Sequence, residues 1–199
     1  MESIGFTLLV SHVKARYLVQ AQDLLFANQE LRAVLEAHRQ QVLERVGHLT
    51  GARLKGESAD QIVEAFAPDT LVEPLELQEA ERQVITRDAP PRGTVAVYRI
   101  PFKGDRNLWR CRPRTFTYNP PRGGIEDRTL VLEYNATERD AVSIKQAAEG
   151  TLRDIRQYLE WINQEVDQFN VTIRLEIGQA VETRKSKVLR DEELQSQLQ

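Results

Sequence analysis

Leu152-Arg153-Asp154-Ile155-Arg156-Gln157-Tyr158-Leu159-Glu160-Trp161-Ile162-Asn163-Gln164-Glu165-Val166-Asp167-Gln168-Phe169-Asn170-Val171-Thr172-Ile173 is the stretch whose reading decides the fold. Its positions Leu152, Ile155, Leu159, Ile162, Val166, Phe169 and Ile173 alternate steps of three and four without a miss. That is an a/d seam over about three heptads, the spacing of a helix that pairs along one stripe. From about Arg139 onward there is no Pro, so nothing in the backbone forbids one very long, coiled-coil-like helix to the end of the chain. The pattern continues less regularly through Ile177, Ala180 and Val188. Val171, Ile173, Leu175 and Ile177 also alternate with Thr172, Arg174 and Glu176, a strand pattern. Helical spacing runs into and out of that segment, so helix is the preferred reading, with Gly178 as the place for a break.

Upstream, the 199-residue chain divides into two further segments. Between about His12 and Leu49 there is no Pro, and Val13, Tyr17, Leu24, Leu31, Leu35, His38, Val42 and Val46 recur at steps that suit a helix. A helix of that span is about 55 Å long, ended by Gly47, Gly51 and Gly56. His38 falls on its apolar stripe and reads as a packed residue. Ser58-Ala59-Asp60-Gln61 is a capping box opening a short helix that Pro68 should stop. Extended segments follow at Leu71–Leu77 and Val84-Ile85. Ala89-Pro90-Pro91-Arg92-Gly93 is a turn, Thr94–Ile100 a β-branched strand, and Lys103-Gly104-Asp105 another turn. Leu108–Cys111, Arg114–Tyr118 and Thr129–Tyr134 read as further strands, with Asn119–Gly124 as a loop. The expected fold class is therefore α+β: a long N-terminal helix over 1–56, a small antiparallel β-rich middle over 57–138, and a very long helix over 139–199. The seam fits pairing within the chain or with a second copy, so Leu152, Ile155, Leu159, Ile162, Val166, Phe169 and Ile173 are the candidate oligomerisation residues of a homo-oligomer.

Composition narrows function. The chain has 27 Lys+Arg against 30 Asp+Glu, a net charge of -3, which rules out a uniformly basic nucleic-acid coat. No apolar run approaches the roughly 18 residues of a membrane span, and the N-terminus lacks the basic region of a secretion signal. The one cysteine, Cys111, cannot form a disulfide within the chain. The expectation is a cytoplasmic protein without a membrane partner, in which Asn135-Ala136-Thr137 and Asn170-Val171-Thr172 match the glycosylation pattern by chance. Flanking Arg110 and Arg112 could activate the Cys111 thiol, but a semi-buried strand cysteine is the simpler expectation.

The charge is unevenly spread. Residues 92–128 hold nine bases and three acids, a local charge of +6, which leaves -9 for the rest. Eight of the nine bases are Arg, suited to bidentate phosphate contacts, and aromatics are interleaved with them. The candidate nucleic-acid-binding set is Arg99, Lys103, Arg106, Trp109, Arg110, Arg112, Arg114, Tyr118 and Arg122. The alternative is that aromatics face a core while Arg faces solvent and pairs with acidic helices. His12, His38 and His48 lack the spacing of paired metal ligands, so neither metal nor cofactor is expected. Asp127 and Glu133 flank a strand as in nuclease sites, but position 135 is Asn where such a site needs Lys. Gly123-Gly124 precedes a strand rather than the helix N-terminus that a phosphate loop requires. No catalytic residue is assigned.

The run Tyr98-Arg99-Ile100-Pro101-Phe102-Lys103-Gly104-Asp105, then Leu108-Trp109, Arg112-Pro113, Pro120-Pro121 and the helix ending near Arg184-Lys185, resembles a pattern in large bacterial proteins. In these, the segment forms the N-terminal part and a restriction-endonuclease-like domain follows. Such proteins look like components of antiviral defence against foreign DNA. The likeness covers roughly residues 58–199. It implies a nuclease-associated module, with catalysis in a domain or subunit outside this chain. The uncapped tail Leu189–Gln199 fits a segment of a longer protein, or one whose nuclease is a separate chain. The functional expectation is a non-catalytic oligomerising and binding module whose basic β-region contacts DNA or another polyanion. The alternative is a structural or interaction protein with a helical clamp, in the manner of a prefoldin-like chaperone.

Overall fold

The computed structural model describes residues 23–90, 93–136 and 140–199. In chain order its elements are β1 (Asp23–Leu24), β2 (Gln29–Glu30), α1 (Leu31–Gly47), α2 (Gly51–Gly56), α3 (Ala59–Thr70), β3 (Glu76–Leu77), β4 (Gln83–Asp88), β5 (Thr94–Lys103), β6 (Cys111–Arg112), β7 (Arg122–Glu126), β8 (Thr129–Asn135) and α4 (Ala141–Gln197). The architecture is a mixture of helix and strand, with an antiparallel half-barrel sheet and one long C-terminal helix.

The expected helix from His12 is corrected where it can be seen. Residues 12–22 lie outside the described residues, and residues 23–30 form two short strands and a turn in which Phe26 has φ +56. The helix starts at Leu31. The step of seven from Leu24 to Leu31 bridged a break, because a helix would bury Leu24. The fold instead leaves Leu24 exposed and buries Leu25 and Phe26. Phe26 stacks between Trp109 at 5.3 Å and Tyr158 at 5.0 Å, and this tertiary packing overrides local helix propensity.

α1 then buries Leu31, Leu35, Val42 and Val46. Thr50 caps α2, and the Ser58–Gln61 box closes with both of its bonds. Pro68 does not stop α3. It sits inside the last turn, and the Leu71 amide still donates to the Ala67 carbonyl. The extended segment after α3 is tied to α4 by two asparagines. Asn163 Oδ1 accepts from the Leu75 amide at 3.0 Å, and its Nδ2 donates to the Leu75 carbonyl at 2.8 Å. Asn170 does the same for Val72 at 3.0 and 2.9 Å.

The sheet order is β1-β7-β8-β5-β3, with β4 also paired to β5. On β5, Ala96, Tyr98, Ile100 and Phe102 face the main core, and Tyr98 and Ile100 lie opposite Leu132 and Leu130 of β8. Val95, Val97 and Val131 gather with Ala89 in a small cluster of their own. Of two expected strands, Leu108–Cys111 keeps only Cys111, in β6, because Leu108–Arg110 belongs to a 3-10 turn (Arg106–Arg110), and Arg114–Tyr118 is a loop whose polar backbone groups bond to α4 side chains instead of a neighbouring strand. The expected loop at Asn119–Gly124 ends earlier, since Arg122–Glu126 is β7. Gly123 makes this possible: an added Cβ there would press on Leu132, Leu130 and Leu25 at 3.0–3.2 Å.

α4 is continuous through Gly178, about 85 Å at 1.5 Å per residue. Helix wins over strand at Val171–Ile177. The seam is filled by the chain itself. Leu152, Ile155, Leu159, Ile162 and Val166 pack beneath the sheet in the main core. Ile173, Ile177 and Val181 pack on Val42, Leu54, Ile62 and Phe66 of α1–α3, and Phe169 touches both clusters. Among the described residues no helix is long and apolar enough to cross a membrane.

Candidate nucleic-acid interface

Three of the basic residues, Lys103, Arg106 and Arg110, lie on or beside one turn. Gly104 follows β5 at φ +98, and an added Cβ would come within 2.1 Å of the Pro74 carbonyl oxygen, so glycine is required there. Asp105 accepts from the Asn107 amide at 2.9 Å and caps the 3-10 turn. That turn brings Arg106 and Arg110 together around a hollow of about 380 Å³, shared with Asp23, Asn28 and the Gly123-Gly124 backbone. One Arg106 nitrogen donates to the Ile125 carbonyl at 3.2 Å.

The next stretch is a loop pinned to α4. The Arg114 amide donates to Glu165 Oε1 at 2.7 Å. The Thr117 amide donates to Tyr158 Oη at 3.0 Å, and that hydroxyl donates to the Thr117 carbonyl at 3.0 Å. Tyr158 is itself 2 % exposed and stacked on Phe26, so the loop rests on the core. It presents Phe116, half exposed, and Tyr118, fully exposed, with ring centres 6.4 Å apart.

The nine candidates therefore separate. Arg99 pairs with Glu126 at 2.8 Å, and Arg112 pairs with Glu30 at 2.8 Å while lying 5.0 Å from the Phe116 ring centre. Both charges are offset within the chain. Trp109 is 1 % exposed between Phe26 and Phe102, and this core ring has no face to offer a base. Lys103, Arg110 and Arg114 are exposed, with no acidic partner among the described residues. Tyr118 projects from the pinned loop, and Arg122 opens β7, exposed but engaged within the chain. Arg92, also part of the basic stretch, lies outside the described residues.

Guanidiniums keep their proton throughout the neutral range and match phosphate geometry. Such groups are suited to holding anions rather than to transferring protons. A cleft of about 880 Å³ lies between α1, the end of α3 and the Gly104 turn, lined in part by Val34, His38, Leu71, Asp105 and Arg128. His38 Nε2 donates to the Thr70 carbonyl at 2.8 Å, so the ring is held as a structural donor. At the back of the cleft Cys111 is buried, its thiol pushed up to about 11 by burial first and by the Asp105 charge second. Glu133 is paired with Arg87, and among the described residues no three His, Cys, Asp or Glu side chains gather as a metal would need.

Sequence reasoning missed Glu165 and Tyr158, which position the loop, and Asn163 and Asn170, which fix the segment behind the cleft. The asparagines had a signal: polar side chains seven apart, each next to a seam position. The chain matches no known protein family, no curated protein and no solved structure.

Proposed function

We propose that this chain is a non-catalytic module that binds nucleic acid, with DNA the first ligand to test. In this reading it contacts phosphates through Arg106, Arg110 and Arg114 and stacks bases on Tyr118 and Phe116. The observation that carries the reading is Arg114, without an acidic partner among the described residues, on the same core-fixed loop as two exposed aromatic rings. Exposed rings beside a basic track are the working parts of single-strand binders. The resemblance to nuclease-linked defence proteins supplies the biological setting, in which the module places a separate nuclease on foreign DNA.

The test is fluorescence anisotropy with labelled single- and double-stranded oligonucleotides across a salt series. Three neutralised phosphates predict a log–log slope of about -2 on single strands and about -3 on duplex. The triple change Arg106→Ala, Arg110→Ala and Arg114→Ala should flatten that slope without unfolding the chain, since none of the three is paired with an acid. No binding at about 50 mM salt, where phosphate contacts are strong, sinks the proposal.

A second reading, the scaffold or helical clamp, draws on exposed apolar residues along α4, namely Val171, Leu175, Leu189 and Leu194. Suppression of client-protein aggregation, followed by light scattering with no DNA binding, is the result that selects it.

A further inference from the structure

The two ends of the sheet are unlike. One edge is β1, two residues long. The other is β4, Gln83-Val84-Ile85-Thr86-Arg87-Asp88, six residues that among the described residues pair on one side only, to β5. Val84 and Ile85 are 52 % and 48 % exposed. An edge strand of ordinary length with exposed β-branched residues is a template for another strand, and proteins blunt such edges with Pro, Lys or a bulge. β4 has no Pro and no Lys, its two charged residues, Arg87 and Asp88, stand at its C-terminal end, and its six residues pair with β5 one to one without a bulge.

We propose that two copies of this chain join through their β4 edges, antiparallel about a two-fold axis at Ile85, to form one continuous sheet. The occupant is argued from the strand's own complementarity. Directly opposed residues on an antiparallel pair share a face, so only registers that oppose odd with odd and even with even keep both faces consistent. Centred on Ile85, the pairing sets Ile85 against Ile85, Val84 against Thr86, Gln83 against Arg87, and Arg82 against Asp88. Apolar meets apolar or Thr and no like charges are opposed; Arg82 and Arg87 already have Glu149 and Glu133 as partners within the chain, so the match rests on Val84, Ile85 and Thr86. Centred on Thr86 instead, Val84 would face Asp88 and Ile85 would face Arg87. Opposed side chains on such a pair are the contacts that stabilise a sheet. The α4 seam is not available for a helical dimer, because it is spent on the chain's own core.

The mass of the untagged chain, measured by light scattering on a sizing column over a range of concentrations, should reach twice 22.8 kDa. Ile85→Lys opposes two ammonium groups at the axis and should weaken the dimer at least tenfold, with the circular dichroism spectrum unchanged. The register has its own readout. Ile85→Cys should cross-link to itself under mild oxidation, and Thr86→Cys, facing Val84 of the other copy, should not. Opposed Cβ atoms about 4.5–5.5 Å apart are near disulfide reach, and the buried Cys111 does not compete. A chain that stays monomeric overturns the proposal. So does an Ile85→Lys dimer of unchanged affinity, or a Thr86→Cys variant that cross-links as fast as Ile85→Cys. If Ile85→Lys fails to fold, the two cysteine variants decide alone.

Discussion

Replacing Asn163 with Leu should destabilise the fold far more than a half-exposed polar position suggests. The side chain makes two bonds to one residue, accepting from the Leu75 amide and donating to the Leu75 carbonyl. Leu75 is 2 % exposed, so its backbone groups have few other partners. Leu has the same branched outline, is somewhat larger, and makes neither bond. Two hydrogen bonds are worth about 1 kcal/mol each, and an unsatisfied buried group costs about 1–3 kcal/mol more. Asn163 itself is half-buried, so water recovers part of that cost. The expected loss is about 2–4 kcal/mol. For a chain of this size that lowers Tm by about 4–16 °C, read by urea titration and thermal melting in parallel. Asn163→Asp separates bonding from shape. The carboxylate keeps the bond from the Leu75 amide but turns an oxygen toward the Leu75 carbonyl. It should lose stability at pH 7 and recover as the acid protonates below about pH 4 and can donate again. A Leu variant within about 0.5 kcal/mol of the parent, the range of ordinary surface changes, or an Asp variant of parental stability at pH 7, refutes the clamp.

Two further outcomes follow from groups set by the same packing. Cys111, buried and with its thiol raised to about 11, should react with a thiol reagent at pH 8 only as the chain unfolds; full labelling within minutes on the folded chain would place it at the surface. Glu79 is held below the usual carboxylate range, first by its two-oxygen bond to Arg156 at 2.7 and 2.8 Å. A lowered folded-state pKa gives stability that is present above the unfolded value near 4.5 and lost as pH falls through the folded one. Glu79→Gln should therefore cost about 0.5–1 kcal/mol at pH 7, as a partly exposed pair allows, with the gap closing in acid; a gap that persists at pH 3 assigns the effect to something other than the charge.

The long C-terminal helix was legible because seven seam positions leave no other period that fits, and because no Pro interrupts it. The competing strand alternation at Val171–Ile177 lost on burial: Ile173 and Ile177 are buried while Val171 and Leu175 are exposed, a helix face rather than a strand face. The N-terminal break was hidden because a step of seven suits both an unbroken helix and two elements that meet in space. Phe26 gave no local hint that its partners were Trp109 and Tyr158, more than 80 residues away. The basic region was legible as arithmetic and illegible as geometry. A charge count does not show that Glu126 neutralises Arg99 or that Glu30, 82 residues from Arg112, neutralises that guanidinium. Nor does Leu108-Trp109-Arg110 show which way the indole turns.

The same limit explains why the seam pointed to oligomerisation. An a/d stripe records that a face is apolar, not whose surface covers it. In a chain with enough apolar residues on its other elements, the cover comes from within. Here Leu25 to Leu35, the inner face of β5 and β8, and the α1–α3 stripe together meet the whole length from Ile144 to Val181. Unsatisfied backbone is another surface that a second copy can use. Among the described residues, the six of β4 have one ladder and room for another. Strand edges leave almost no trace in hydropathy, because Val84 and Ile85 look like any two core residues until the strand beside them is counted. The oligomer question therefore moves from the helix that announced itself to the strand that did not.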